Sequence, residues 1–164
     1  MRVSENLELI ILAPIEQVWE AFQDFTSWPK WSTYLKRVER VDDGWRFVAR
    51  GMPPIDLIWV ARAVRRDPPV YVEFESVPGA EHDLEVKGRV ELEDEEGKTH
   101  LRMHFEGQPH FKRPWMNGLA DVYTGLFGEP NKLLKVTMEE FKQAVEAEYV
   151  GASRAEGLES RANS

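Results

Sequence analysis

The sequence predicts an α+β fold in which an antiparallel sheet of about seven strands is covered on one side by helices. Three observations predict it. Six segments of period-two hydrophobicity follow one another between residues 35 and 108, each bounded by turn residues. A short amphipathic helix interrupts the pattern after the first strand. A long segment of helical period, residues 114–149, closes the ordered part of the chain.

Residues 3–12 alternate and then become continuously apolar from Leu9 to Leu12, as expected of a first strand. Ile15, Val18, Trp19 and Phe22 then recur at i, i+3, i+4 and i+7, with Glu16, Gln17, Glu20 and Gln23 opposite, so this helix lies on a core. Pro14 suits its first turn, where no backbone N–H is needed. Pro29 forbids a regular helix through Trp28–Trp31, so a second, separate helical turn is expected there. Candidate strands follow at 35–42, 45–51, 55–66, 70–77, 82–93 and 98–108. Asp43-Gly44, Pro53-Pro54, Pro68-Pro69, Pro78-Gly79 and Glu96-Gly97 punctuate them, and consecutive hairpins imply antiparallel pairing.

The last two strands show the sheet's two faces. Leu84, Val86, Gly88, Val90 and Leu92 oppose Glu85, Lys87, Arg89, Glu91 and Glu93, while Leu101, Met103 and Phe105 oppose His100, Arg102, His104 and Glu106. One face sees water, and the other requires a cover. Trp115, Leu119, Val122 and Leu126, followed by Leu133 or Leu134, Met138, Phe141 and Val145, supply it on one long helix, which Pro130 should kink or break. Beyond Val150 the chain is polar and aperiodic, so 1–150 is expected to form one domain and 151–164 a flexible polar tail. There is no internal repeat.

The run Ala13-Pro14-Ile15-Glu16-Gln17-Val18-Trp19, then Asp24-Phe25 and Trp28-Pro29-Lys30-Trp31, resembles the helix-grip superfamily of START-like, Bet v 1-like (SRPBCC) proteins. Within it the pattern is nearest to polyketide cyclase/dehydrase-like and ubiquinone-binding START-type proteins. The resemblance implies a curved antiparallel sheet, two short helices after strand one, and a long kinked C-terminal helix over a hydrophobic cavity. It also implies a ligand among lipids, sterols, isoprenoid quinones or polyketides. The motif tryptophans themselves are read as packing residues that build the scaffold.

A curved sheet and a straight helix diverge at their ends, which leaves a cavity. Strand parity places Trp45, Phe47 and Ala49, Leu57, Trp59 and Ala61, Val70, Val72 and Phe74, and Leu84, Val86, Leu101, Met103 and Phe105 toward it. Ile58, Val60 and Val64 offer a rival face on their strand, but Arg62 shares it and disfavours its burial. The candidate ligand-binding set is Trp45, Phe47, Trp59, Phe74, Val86, Met103, Phe105, Trp115, Leu119, Val122 and Leu126. Gly118 and Gly125 lie seven apart at the margin of the long helix's apolar face, either for close approach to the sheet or to leave ligand space.

With 164 residues and 42% hydrophobic content the chain suits one domain with a substantial core. A net charge of −8 argues against a sequence-independent grip on nucleic acid, which needs clustered cations. The absence of cysteine excludes disulfides, thiolate catalysis and thiolate-ligated zinc. A signal-like apolar run and a stretch of ~20 apolar residues are both missing, so a cytoplasmic protein is expected. A mouth rimmed by Pro53, Pro54 and Trp115 is a candidate for transient membrane contact or for a second subunit.

No nucleophile elbow, phosphate loop, dinucleotide fingerprint or zincin motif occurs, so no cofactor or metal is expected and no catalytic residue is assigned. His104, Glu106, His110, Asn117, Asp121 and Tyr123 are the available polar groups. His104 and Glu106 could join His110 at a metal, but Arg102 and His100 mark their face as solvated. Noncatalytic binding or transport of a hydrophobic small molecule is therefore the first expectation. A polyketide cyclase/aromatase-type enzyme using polar groups at the cavity mouth is the alternative, and a protein-interaction module is a third.

Overall fold

The computed structural model describes residues 3–50, 56–80, 83–109 and 132–162. Seven strands form one antiparallel sheet: β1 (Val3–Ile11), β2 (Leu35–Val41), β3 (Gly44–Arg50), β4 (Asp56–Asp67), β5 (Tyr71–Ser76), β6 (Leu84–Glu95) and β7 (Lys98–Pro109). Their spatial order is β1-β7-β6-β5-β4-β3-β2, so β2 to β7 form a meander and β1 closes onto the last strand. The helices between β1 and β2 therefore cross from one edge of the sheet to the other.

The first of these, α1 (Ile15–Gln23), buries Ile15, Val18, Trp19 and Phe22, the face expected from their spacing. Pro14 is not inside its first turn but one residue ahead, extended at ψ 150°, with its carbonyl accepting the Val18 N–H. The helix ends at Asp24, whose carbonyl accepts the Ser27 N–H and so starts a 3₁₀ helix, Phe25–Lys30, while its carboxylate accepts hydrogen bonds from Thr26 Oγ1 and Ser27 Oγ. Pro29 sits in that tighter helix. Trp28 is buried, and its indole N–H donates to the Ala21 carbonyl at 3.1 Å, locking the two helices together.

The C-terminal helix, α2 (Lys132–Ala162), buries Met138, Phe141 and Val145 in the expected phase. Phe141 meets Phe22, Trp28 and Trp31 at centroid distances of 5.8, 5.4 and 6.0 Å, so the motif tryptophans are packing residues. Glu140 on the same helix accepts the Thr33 N–H and, at 2.8 Å, the Thr33 hydroxyl, which ties the end of the 3₁₀ segment to α2. Residues 110–131, with the expected kink at Pro130, lie outside the described residues. The helix continues to Ala162, so 151–162 of the segment read from the sequence as a flexible polar tail is helical. Ala152, Ala155, Glu156, Leu158 and Glu159 favour helix, and elongating an existing helix avoids the nucleation cost.

Two further differences concern the sheet. Val70, expected to face inward, lies in the β4–β5 turn and is 46% exposed, because β5 begins only at Tyr71. On β3 and β4 both faces are partly covered: Val48 and Val60 are buried on the side away from Phe47 and Trp59. There the β5–β6 connection runs beside β4, with the Val77 N–H on the Val60 carbonyl. Asp83 grips Ile58 through its own N–H and through its carboxylate. At the β2–β3 turn Gly44 has φ +117°, and a β-carbon there would collide with the Ala61 carbonyl, so glycine alone fits.

Candidate functional site

Seven of the candidate ligand-binding residues fall within the described segments, and the register puts all seven on the helix-covered side of the sheet. Phe47 stands opposite Trp59, Trp45 opposite Ala61, and Met103 opposite Val90. Phe74, Gly88 and Phe105 lie in one row across β5, β6 and β7, and Val86 stands opposite Gly107. Trp115, Leu119, Val122 and Leu126 lie outside the described residues, as do Gly118 and Gly125.

The seven differ in how they are used. Phe47, Val86 and Met103 are buried in the core, whereas Trp45, Trp59, Phe74 and Phe105 pack against it and keep part of their surface accessible. The row through Gly88 explains two of these. A β-carbon on Gly88 would lie 2.7 Å from the Phe74 ring and 2.6 Å from the His104 carbonyl, so the missing side chain is what seats Phe74 across the sheet. The Phe105 ring similarly lies over Gly107. Trp59 stacks on Phe47 nearly parallel, at 5.3 Å, and Phe47 and Trp45 both meet Phe25 of the 3₁₀ helix. An apolar aromatic strip thus runs from the rim at Trp45 to Trp59.

At that rim β4 outruns β3, since no β3 residue pairs beyond Trp45 and Ala61. The notch left there is a cleft of about 350 Å³ between the β2–β3 turn and residues 62–66. A bulge between Ala63 and Arg65 shifts the β4–β5 register, and Arg66 consequently stands opposite buried Val72, on the core side of the sheet. Arg40, opposite Trp45, shares that side. Both guanidiniums lie over the Trp45 ring, Arg40 at 5.8 Å and Arg66 at 5.6 Å from its centroid. Arg62 instead donates to Asp43 and Glu75, and these hydrogen bonds push its pKa above the ordinary value and keep it charged. Arg65 pairs with Asp67 and covers Tyr71.

Neither Arg40 nor Arg66 belonged to the sequence-derived site. The available signal was the adjacent pair Arg65-Arg66, which breaks period two in a strand and thereby marks the bulge.

Polar groups on the helix side are few among the described residues. Glu5 alternates with Leu7, Leu9 and Ile11, stands opposite Phe105, and pairs with Lys135 of α2 at 3.6 Å. Thr137 of α2 is buried, and among the described residues its hydroxyl has no hydrogen-bond partner. His104 contacts Asn6 at 2.8 Å and Glu106 at 3.5 Å on the opposite, charged face. Glu93, Glu95 and His100 also cluster there with metal-ligand spacing, and are engaged by Arg102, Glu8 and one another. His110, Asn117, Asp121 and Tyr123 lie outside the described residues. Among the described residues no helix is long and apolar enough to cross a membrane.

A family model described as polyketide cyclase/dehydrase and lipid transport matches residues 6–149. No curated protein sequence gives a significant match. Solved structures do. The Zhui aromatase/cyclase from a Streptomyces species is 12% identical with a TM-score of 0.71, over 89% of this chain and 94% of its own. A Thermus thermophilus protein is 18% identical with a TM-score of 0.68, over 88% and 98%. A START superfamily protein from Mycobacterium smegmatis is 15% identical with a TM-score of 0.58, over 92% and 98%. At these identities the likeness is one of fold.

Proposed function

The chain belongs to the polyketide cyclase/dehydrase and lipid transport family, and we propose that it binds or carries a hydrophobic small molecule without turnover. The ligand class is a lipid, an isoprenoid quinone or a polyketide-like molecule, held between the sheet and the C-terminal helical segment. The observation that carries this reading is the accessible aromatic surface of Trp59, Phe74 and Phe105 on the side of the sheet that otherwise forms the core. Accessible aromatic surface beside a close-packed core is what an apolar ligand covers on binding, with water released from both.

Organic extraction of the purified protein followed by mass spectrometry, together with a lipid and quinone binding screen, tests the reading. The expected result is an apolar molecule carried over or taken up and recovered chemically unchanged. A protein that neither carries nor takes up any apolar molecule contradicts it.

A second reading, a cyclase/aromatase-type enzyme, is favoured by one observation: Glu5, only 17% exposed, shares its sheet face with Phe105 and is held by Lys135. A positioned carboxylate beside an apolar surface is a candidate acid or base. Chemical conversion of a bound polyketide-like ligand, abolished by Glu5→Gln, supports this second reading, and recovery of unchanged ligand supports the first.

A further inference from the structure

We propose that the rim notch between Arg40, Trp45 and Arg66 receives the anionic headgroup of an amphiphile, a carboxylate or a phosphate, whose apolar part lies along the accessible surface of Trp45 and Trp59, the two ends of the strip built on Phe47. The inference rests on the proposed function and adds the chemistry of the ligand's polar end.

The notch collects four arginines and two aspartates in a chain whose net charge is −8. Two of the arginines are already committed, Arg62 to Asp43 and Glu75 and Arg65 to Asp67. Among the described residues Arg40 and Arg66 form no ion pair, and Asp42 is the only lining carboxylate outside one. Two uncommitted cations therefore face one uncommitted anion, and the local field favours a negative guest.

The mode of attachment matters as much as the charge. A cation–π contact with the indole takes none of the guanidinium's N–H donors, and those donors match a carboxylate or phosphate in a bidentate manner. The same contact restrains two long side chains that would otherwise lose rotamer freedom on binding. The bulge gives the arrangement its purpose. Without the extra residue, Arg66 would project to the far face with the solvated charges. With it, Arg66 comes to the indole that begins the aromatic strip. Trp45 thus meets both the uncommitted cations and Phe25, and Phe25 leads on to Phe47, which stacks on Trp59.

The test compares three probes that share one alkyl chain, namely dodecanol, dodecanoate and dodecyl phosphate, by titration of the wild-type protein and of the Arg40→Gln/Arg66→Gln double variant at low salt. Both positions are exposed, and circular dichroism checks that the variant is folded. The expected result is that the two anionic probes bind the wild type at least about tenfold more tightly than the alcohol, and that the double variant narrows the gap to about threefold or less. Equal advantages for carboxylate and phosphate support a monoanion site, and a larger advantage for phosphate supports a dianion. An alcohol that binds the wild type as tightly as the anions overturns this inference and leaves the proposed function standing. So does an anionic advantage that survives the double substitution. Failure of every probe to bind the wild type overturns both.

Discussion

The two ends of the aromatic system use the same kinds of side chain to opposite effect. At the helical end Phe22, Trp28 and Phe141 interlock edge to face and are at most 6% exposed. At the sheet end Trp59, Phe74 and Phe105 rest on Phe47, Gly88 and Gly107, and keep accessible surface. The first end satisfies its rings with other rings. The second seats its rings on glycine or on a single neighbour, which leaves apolar area for another molecule. Composition does not distinguish a core from a binding surface; what lies opposite each ring does.

The sharpest way to break the comparison is at Phe141. Phe141→Ala should cost about 3–5 kcal/mol in urea denaturation, because it leaves a void among Phe22, Trp28 and Trp31. A cost below about 1 kcal/mol would mean that the helical end is not close-packed. Next comes Gly88→Val, which forces a side chain into the Phe74 ring and the His104 carbonyl, with an expected loss of about 1–3 kcal/mol. Ligand uptake should fall with it.

Trp59→Ala should shift the balance: stability falls by about 2–3 kcal/mol, less than at Phe141 because the ring is only partly buried, while affinity for an apolar ligand drops at least about tenfold. Glu140→Gln removes the charged acceptor of Thr33 and should cost about 1 kcal/mol without changing ligand affinity.

The smallest effect is one of pH. Desolvation, and then its hydrogen bond to Glu73, push the Tyr71 pKa above its ordinary value of 10.0. The folded protein therefore favours the neutral phenol more than the unfolded chain does. Stability from this source is complete below pH 10 and declines as pH rises through the folded pKa, and Tyr71→Phe should flatten that alkaline decline in a pH series of thermal melts.

The fold was legible because its signals are local and repeated. Alternation in β6 and β7, the Ile15–Phe22 spacing, and the turns at Asp43-Gly44 and Glu96-Gly97 each specify one element, and they agree. The side of the sheet that each candidate residue faces was legible where strand parity runs unbroken, as at Phe47, Val86 and Met103. Parity fails at a bulge, which is why Arg66 reads as an outer-face residue in the sequence and stands on the core side in the structure. It is also ambiguous on β4, where Val60 is buried on the face opposite Trp59, a burial that no periodicity encodes. The helical extension past Val150 was missed for a different reason. Its alanines and glutamates suit a helix, but Gly151, Gly157 and the lack of an apolar stripe hide it from a search for amphipathic faces.

The most direct test uses the six tryptophans as reporters. In a titration of ¹⁵N-labelled protein with an apolar ligand, followed by nuclear magnetic resonance, the indole N–H signals of Trp59 and Trp45 should shift strongly. Those of Trp19 and Trp28, buried at the helical end, should stay in place. Saturable shifts at Trp19 and Trp28 with none at Trp59, or no shift at any indole, would contradict ligand binding along the accessible aromatic surface of the sheet.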